Sequence, residues 1–163
     1  MAGWRPNNGD ADAATLWDIP ELRRRSRDAA RNVPITGGAI NANVIGTGLS
    51  CQPTINYQLL GLSETEADAW QTQTAAHFTQ WFESMECDIT RHQNGYGLQA
   101  LAFRSMFESG DVVVTMPIVN VSGIGEMLTI QIIEADRLNN PWNVADTATL
   151  AGGVEKDDNG APA

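Results

Sequence analysis

The 163-residue chain has few of the residues on which most chemical sites depend, and it has no long apolar run. It holds two cysteines, two histidines and a single lysine, Lys156. Its apolar stretches are no longer than strands, so no segment is predicted to span a bilayer. Cys51 and Cys87 are too few and too far apart for a disulfide framework, and the first residues lack the apolar core of a secretory signal. We therefore expect a reduced, intracellular setting.

The sequence also lacks the motifs of a nucleotide or metal site. Gly46-Thr47-Gly48 and Gly123-Ile124-Gly125 begin like a dinucleotide fingerprint, but the third glycine and the strand-to-helix setting are missing. His77 and His92 are not one helical turn apart, and the two cysteines do not form a CxxC pair. We expect no cofactor and no bound metal.

Positive charge is scarce and concentrated. The formal net charge is −10, which argues against binding nucleic acid through bulk electrostatics. Arginine favours fixed, bidentate pairing with carboxylates. The basic cluster of this chain either contacts carboxylates of the same or a neighbouring copy, or forms a solvated helix face. Five of the ten basic residues form this cluster and are candidate subunit contacts: Arg23, Arg24, Arg25, Arg27 and Arg31.

Residues 1–17 are polar and rich in Gly, Asn, Asp and Ala, a composition typical of a flexible N-terminal arm. Trp4 and Trp17 stand isolated within it. Tryptophans on such an arm are unusual unless their rings dock on this subunit or on another. Both are therefore further candidates for subunit contact. The remaining residues, 18–163, are predicted to form a single domain.

Helix signals follow the arm. Asp18 is placed to cap a helix that Pro20 enters in its first turn and that ends near Val33. A small-residue stripe at helical spacing supports it: Leu22, Ser26, Ala29, Ala30 and Val33. A second helix is predicted for residues 35–45 and a short strand for residues 49–55.

Two further helices carry clear caps. The sequence Ser63-Glu64-Thr65-Glu66 is a capping box, which predicts a helix to about Ser84. Asn94 is placed to cap another helix, which reaches about Phe107. The stripe expected to face inward on the first of these helices is Ala67, Trp70, Thr74, Phe78, Trp81 and Met85.

Strand signals occupy the last third. Val112–Val119 is rich in β-branched residues, and Pro117 within it predicts an edge or a bulge. The segment 127–134 is predicted to return antiparallel, with Leu128, Ile130 and Ile132 on one face. We therefore predict an α+β fold, with helices in the N-terminal two thirds packed on a small, mostly antiparallel sheet.

Near its end the chain carries another hairpin. Residues 152–156 are predicted to start a strand, and Asp157-Asp158-Asn159-Gly160 is a strong turn signal. Only three residues follow the turn, so the sheet would keep an unpaired edge. Either more chain or another copy would complete it, and we favour the first interpretation.

Two weak catalytic arrangements remain. Glu134 and Asp136 would share one face of a strand, as an acid/base pair or a metal site requires. Arg137 lies beside them, so a salt-bridged structural corner is favoured. Cys87 with His92 could form a nucleophilic pair, but no orienting group is indicated.

The order of these segments resembles that of lambda-type tailed-phage portal proteins. The helix from Leu22 to Pro34, followed by Val44-Ile45-Gly46-Thr47-Gly48, is similar to the family's "LR.RSRDLVRNNP" helix and "VGTG" turn. The strand Ile132–Leu138 resembles its "vq.IEADRL" strand, and Gly153–Pro162 resembles its "GVE.D..G.P" hairpin. The ordered set, from about residue 20 to residue 162, carries the resemblance rather than any one motif.

The resemblance implies a structural protein and not an enzyme. Portal proteins form a ring, commonly of twelve subunits, at one capsid vertex. The ring is the pore for genome packaging, the site of head–tail connection and the exit for DNA. The implied partners are other copies, capsid protein, terminase, head–tail adaptors and double-stranded DNA in the channel, with no membrane. The implied location is the virion, after assembly in the host cytoplasm.

Family members are several times longer and carry a channel-lining stem helix and a clip domain. We therefore expect this chain to be the wing-domain portion of such a protein. Two alternatives stay open: a small metal-dependent enzyme that uses Glu134, Asp136 and one histidine, and a head–tail adaptor of about this length.

Overall fold

A computed structural model describes residues 16, 18–45, 48, 50–121, 123 and 125–162 of the chain. Helices occupy the first part and strands the last, which confirms the predicted α+β class. The helices are α1 Ile19–Asn32, α2 Pro34–Ile45, α3 Tyr57–Leu60, α4 Glu64–Glu83 and α5 Gly95–Ser109. The strands are β1 Val113–Thr115, β2 Ile118–Val121, β3 Gly125–Leu128, β4 Gln131–Ile133, β5 Leu150–Ala151 and β6 Val154–Glu155. Short 3₁₀ turns lie at Met85–Cys87, Ala135–Arg137 and Pro141–Asn143.

The described chain divides into two compact units, each assembled from segments that are distant in sequence. The first comprises the described residues of 1–40, 105–113 and 133–163. The second comprises those of 41–104 and 114–132. The arm at residues 1–17 lies almost wholly outside the described residues, and its flexibility and the single-domain organisation stay predictions.

Unit 1 begins with α1 and the first part of α2, which meet at a tight corner. Asp18 was expected to cap α1, but its backbone is helical and its side chain makes no capping hydrogen bond, so that detail is wrong. Pro34 ends α1 because it cannot continue the hydrogen-bond ladder, and it starts α2. A Cβ on Gly37 would lie 2.8 Å from the carbonyl oxygen of Ala30. Glycine at 37 thus permits α2 to approach the end of α1 closely.

Unit 2 is built on α4. The capping box is confirmed: Ser63 accepts from the Glu66 amide, and the Glu66 carboxylate accepts from Ser63. Phe82 is buried against Phe78 and Tyr96, with ring centroids 5.0 and 5.2 Å away. The predicted stripe is right at its first residue, since Ala67 is 2% exposed, and wrong at Trp70 and Met85, which are 47% and 59% exposed. Its middle is partly covered, and Phe82 supplies the buried contact that the stripe omitted.

The predicted strand at 49–55 is wrong. Residues 50–56 have no regular structure, and a short helix, α3, follows them. Asn56 caps α3 by accepting from the amide of Leu59, and Gly61 ends it in the left-handed region. These local capping bonds stabilise a helical turn directly after the segment for which a strand was predicted.

The long hairpin is interrupted in both strands. β2 pairs antiparallel with β3, from Ile118 opposite Leu128 to Val121 opposite Gly125, and β1 pairs with β4. At the interruption, Thr129 donates both its amide and its hydroxyl to the Pro117 carbonyl. Thr129 is 2% exposed whereas Leu128 is 39% exposed, so the predicted alternation is wrong there.

The last hairpin is confirmed in part. β6 pairs antiparallel with β5, a partner that lies before it in sequence. The turn after β6 forms as predicted, because the Asp157 carboxylate accepts from the amides of Asn159 and Ala161. The returning segment makes a single bridge, Lys156 opposite Pro162.

Candidate functional site

Two arginines of α1 converge on one carboxylate. Arg23 and Arg27 are one helical turn apart, so their side chains leave the same face of α1. Arg23 Nη1 donates to Asp136 Oδ1 at 3.2 Å, and Arg27 Nη1 donates to Asp136 Oδ2. The two arginine side chains are 16% and 28% exposed. Both oxygens of Asp136 are therefore occupied by guanidinium groups.

Ser109, at the C-terminal end of α5, joins the same cluster. Its carbonyl oxygen accepts from Arg23 Nε at 3.0 Å, and its hydroxyl accepts from Arg27 Nη2 at 3.0 Å. A guanidinium at a helix C-terminus also meets the negative end of the helix dipole. We call Arg23, Arg27, Ser109 and Asp136 the arginine clamp. It ties together the three sequence segments of unit 1.

The other arginines of the cluster face solvent. Arg24 and Arg25 both pair with Glu21, three and four residues before them, and their side chains are 78% and 75% exposed. Arg31 Nε donates to the carbonyl oxygen of Arg27. The sequence left open whether the arginines contact carboxylates or water, and α1 does both on different faces. Whether the solvent-facing arginines contact another subunit stays a prediction.

The clamp changes the interpretation of the Glu134/Asp136 pair. β4 ends at Ile133, and Asp136 lies in a 3₁₀ turn, so the two carboxylates do not share a strand face. The hydrogen bond from Arg27, together with the charges of Arg27 and Arg23, lowers the pKa of Asp136, although burial opposes this effect. Within the described residues no group of three or more His, Cys, Asp or Glu could hold a metal ion. The salt-bridged corner is confirmed, with α1 and not Arg137 supplying the arginines.

The Cys87/His92 pair is not assembled as a nucleophile. Cys87 is fully buried, its thiol donates to the Ser84 carbonyl, and burial raises its pKa. The backbone amide of His92 donates to the Asp88 carboxylate, which also accepts from Thr90 and Gln93. This segment is a compact polar turn that connects α4 to α5. A raised thiol pKa is the reverse of what nucleophilic catalysis requires.

An open groove lies beside the clamp in unit 1. It has a volume of about 400 Å³ between the first turns of α1 and the end of α5. Its apolar wall includes Leu22 and Phe107, which are 56% and 46% exposed. Glu108 and Asp111 add carboxylates to its lining, whereas Arg23, the one lining arginine, is paired with Asp136. The groove therefore has an apolar wall and both acidic and basic residues in its lining.

Trp142 is the most exposed large apolar residue of the described chain, at 96%. Its backbone is left-handed, with φ 59°, a region that bulky residues rarely adopt. The buried Asn140 holds the loop in place: its amide group donates to Val144 O and Asp146 Oδ1, and its oxygen accepts from Gly153 N. Sequence reasoning treated this segment as a plain loop. No motif in the sequence indicated the hydrogen bonds of the buried Asn140 that hold the loop around Trp142.

The tryptophans of the arm lie outside the described residues. Trp4 and Trp17 therefore stay predictions as subunit contacts. None of the described helices combines the length and apolar character needed to cross a bilayer.

Comparison with known proteins gives a consistent picture. The family described as "Phage portal protein, lambda family" matches residues 1–163. The chain is also 25% identical over 173 aligned positions to the portal protein of Escherichia phage N15. That alignment covers 99% of this chain but 31% of the phage N15 protein, so the chain spans about a third of the length of this relative.

Proposed function

Because the chain belongs to the lambda family of phage portal proteins, we propose that it forms part of a portal subunit at one vertex of a phage capsid. The observation that carries this proposal is the family match across residues 1–163. In this proposal copies of the subunit form a ring of twelve. The ring is the pore for genome packaging, the platform for head–tail connection and the exit for DNA.

The described residues suit a structural role. The clamp fixes α1 against two other segments with ion pairs and hydrogen bonds, which rigidifies unit 1. Rigid, pre-ordered surfaces lose little conformational entropy when subunits assemble. We therefore propose that this part of the subunit is a scaffold, without an enzymatic reaction, and that it belongs to the wing of the ring.

Charge supports the proposed conduit. The chain carries a formal net charge of −10, so its average potential repels DNA. A surface that DNA passes without adhering suits a pore better than a DNA-binding protein. Capsid protein, terminase and head–tail adaptors are the proposed contacts of the complete subunit, which assembles in the host cytoplasm before it enters the virion.

The two alternatives lose their support. A metal-dependent enzyme would need Asp136 as a ligand, and both oxygens of Asp136 accept from arginines. A head–tail adaptor would share partners with a portal, but the family match is to portal proteins.

The test is to purify the complete product of the gene that encodes this chain and to image it by negative-stain electron microscopy. We expect closed rings. If the gene product carries a peptide tag, we expect a label against that tag to mark one site per capsid in purified virions. Monomers at all concentrations, or a label spread evenly over the capsid, would overturn the proposal.

A further inference from the structure

We propose that Asn159 is a site of spontaneous chemical modification, where its side chain cyclises onto the backbone and becomes aspartate or isoaspartate, and that hydrogen bonds to Asp157 slow this reaction. The site lies in the exposed turn after β6, where Gly160 follows Asn159. Asparagine is among the thermolabile residues of proteins. The inference does not depend on the proposed ring, because the reaction requires one folded chain and water alone.

The reaction needs no enzyme, metal or oxidant. The backbone nitrogen of Gly160 loses its proton to solvent base and attacks Cγ of Asn159. The Cγ–Nδ2 bond breaks, ammonia leaves, and the new bond closes a succinimide ring. Water then opens the ring: cleavage of the new Cγ–N bond gives aspartate, whereas cleavage between the Asn159 carbonyl carbon and the Gly160 nitrogen gives isoaspartate. Water is consumed, ammonia is released, and no atom is oxidised or reduced.

Gly160 leaves the attacking nitrogen unobstructed. A side chain on the residue after an asparagine hinders the approach of its nitrogen to Cγ, and glycine has no side chain. Both Asn159 and Gly160 are exposed. A Cβ added to Gly160 would meet no atom within 4 Å, so the turn has room for the ring.

The turn also restrains the reaction. The amide of Gly160 donates to the Asp157 carbonyl oxygen at 2.9 Å, and the Asp157 carboxylate accepts from the amides of Asn159 and Ala161. These bonds hold the nitrogen in place, and the negative charge opposes its deprotonation. Within the described residues, however, the segment after the turn returns by a single bridge. Exposed segments with so few contacts open locally at little cost in free energy, so we expect the reaction to proceed from the opened turn.

The same dipeptide occurs elsewhere in a protected setting. Asn94 precedes Gly95 at the start of α5, and Asn94 Oδ1 accepts from the amide of Gly97 at 3.0 Å. Gly95 is buried, and a Cβ on it would lie 2.2 Å from ring atoms of Phe82. The capping bond fixes the side-chain amide of Asn94, and the aromatic ring leaves no space for a succinimide. Asn94 is therefore an internal control for Asn159.

Conversion of Asn159 would alter the turn. Isoaspartate carries the backbone through Cβ and Cγ, which lengthens the main chain by a methylene group. The amide of Ala161 would then no longer reach the Asp157 carboxylate as it does now. Either product also adds a negative charge beside Asp157 and Asp158. We expect the amide of Ala161 to exchange its hydrogen faster in the converted protein.

The test incubates the folded wild-type protein in mildly alkaline buffer made with heavy-oxygen water. Peptide mapping by mass spectrometry then measures label at each asparagine, and it separates Asn159 from Asn94 and from Asn8, which also precedes a glycine but lies outside the described residues. We expect Asn159 to convert at least about tenfold faster than Asn94. In concentrated urea, where neither dipeptide is held by the fold, the two rates should be similar.

Two variants isolate the parts of the proposal. Asn159→Gln should abolish the reaction at this position, because the longer side chain cyclises poorly. Asp157→Ala should accelerate it several-fold, with Asn94 still protected, which shows that the rest of the fold is intact. Conversion of Asn159 no faster than that of Asn94 in the folded protein would overturn the site, and a wild-type rate in Asp157→Ala would overturn the restraint by Asp157. Neither result bears on the portal proposal.

Discussion

Arg27 and Asp136 form an ion pair although 109 positions separate them in the sequence. The pair holds the middle of α1 against the 3₁₀ turn that follows β4. Arg23 binds the second oxygen of the same carboxylate, so two cations share one anion. Unit 1 is therefore stabilised by a carboxylate that lies outside both of the helices it joins, α1 and α5.

The first prediction concerns Asp136→Asn. The amide would place an NH₂ donor against one guanidinium donor and remove the charge that both arginines share. Because Asp136 is 42% exposed, water offsets part of the loss. We expect a decrease of about 1–2 kcal/mol in the free energy of unfolding, measured in urea. Asp158→Asn, on the exposed turn, is the control and should change this free energy by less than about 0.5 kcal/mol.

The second prediction separates the two faces of α1. Arg27→Glu sets a carboxylate against Asp136 and should lower the free energy of unfolding by about 2–3 kcal/mol. Arg24→Glu on the solvent face meets only Glu21 and should lower it by about 0.2–0.5 kcal/mol. Thermal unfolding and ring formation should be measured together. Lost assembly with unchanged melting in Arg24→Glu would support a subunit contact there, whereas equal melting of the two variants would contradict the assignment of faces.

The third prediction concerns acid stability and Asp88. Burial opposes ionisation of this carboxyl, but hydrogen bonds from Thr90, His92 and Gln93 together lower its pKa. A group with a lowered folded pKa stabilises the fold above its unfolded value, about 3.9, and this stability is lost as pH falls through the folded pKa. The pKa of Asp136 is also lowered in the folded protein, so its carboxylate likewise loses its stabilising effect as the pH falls.

Asp88→Asn should therefore be less stable at pH 7, by about 1–3 kcal/mol. Its stability should also decline less steeply than that of the wild type between about pH 5 and pH 2. Urea unfolding across this pH range tests both statements. If the stability of Asp88→Asn and that of the wild type fall equally steeply as the pH is lowered, the ionised Asp88 carboxylate does not stabilise the fold. That result would contradict this prediction.

The fourth prediction concerns two glycines in helices. A Cβ on Gly95 would lie 2.2 Å from ring atoms of the buried Phe82, so Gly95→Ala forces the aromatic cluster apart. We expect it to lower the free energy of unfolding by about 1–3 kcal/mol or more. Gly38, in α2, has nothing within 4 Å of the same position. Gly38→Ala should raise stability by about 0.5–1 kcal/mol, and a loss there would contradict the described environment.

The fifth prediction compares two tryptophans of α4. Trp81 Nε1 donates to the Leu128 carbonyl at 2.9 Å, which joins the helix to the end of β3. Trp81→Phe should cost about 1 kcal/mol of unfolding free energy. Trp70 is 47% exposed. Trp70→Phe should therefore change the free energy of unfolding by less than about 0.5 kcal/mol. Similar losses in both variants would show that ring size, and not the hydrogen bond, matters.

The helices were predictable because their signals are local. The Ser63/Glu66 capping box and the Pro34 break act within one turn of chain, and both helix boundaries follow from them. The cap at Asn94 is confirmed by its bond from the Gly97 amide. Such bonds join residues within a few positions of each other, so sequence spacing alone locates them.

The site was less predictable because its partners are far apart in sequence. Asp136 was expected to pair with its neighbour Arg137, but α1 supplies the arginines. Burial of Thr129 depends on the carbonyl of Pro117, twelve positions away. Exposure of Trp142 depends on the hydrogen bonds of Asn140. Periodicity carries no information on such tertiary contacts.

The interruption at Pro117 and Thr129 bears on how the protein avoids self-association through its backbone. An unbroken hairpin from Val112 would present a long, β-branched edge, which is a template for sheet extension between chains and for fibril formation. Two short pairs of three or four residues, separated by a proline without an amide hydrogen, offer little such edge. The interruption thus leaves this hairpin little free backbone edge on which another chain could add a strand.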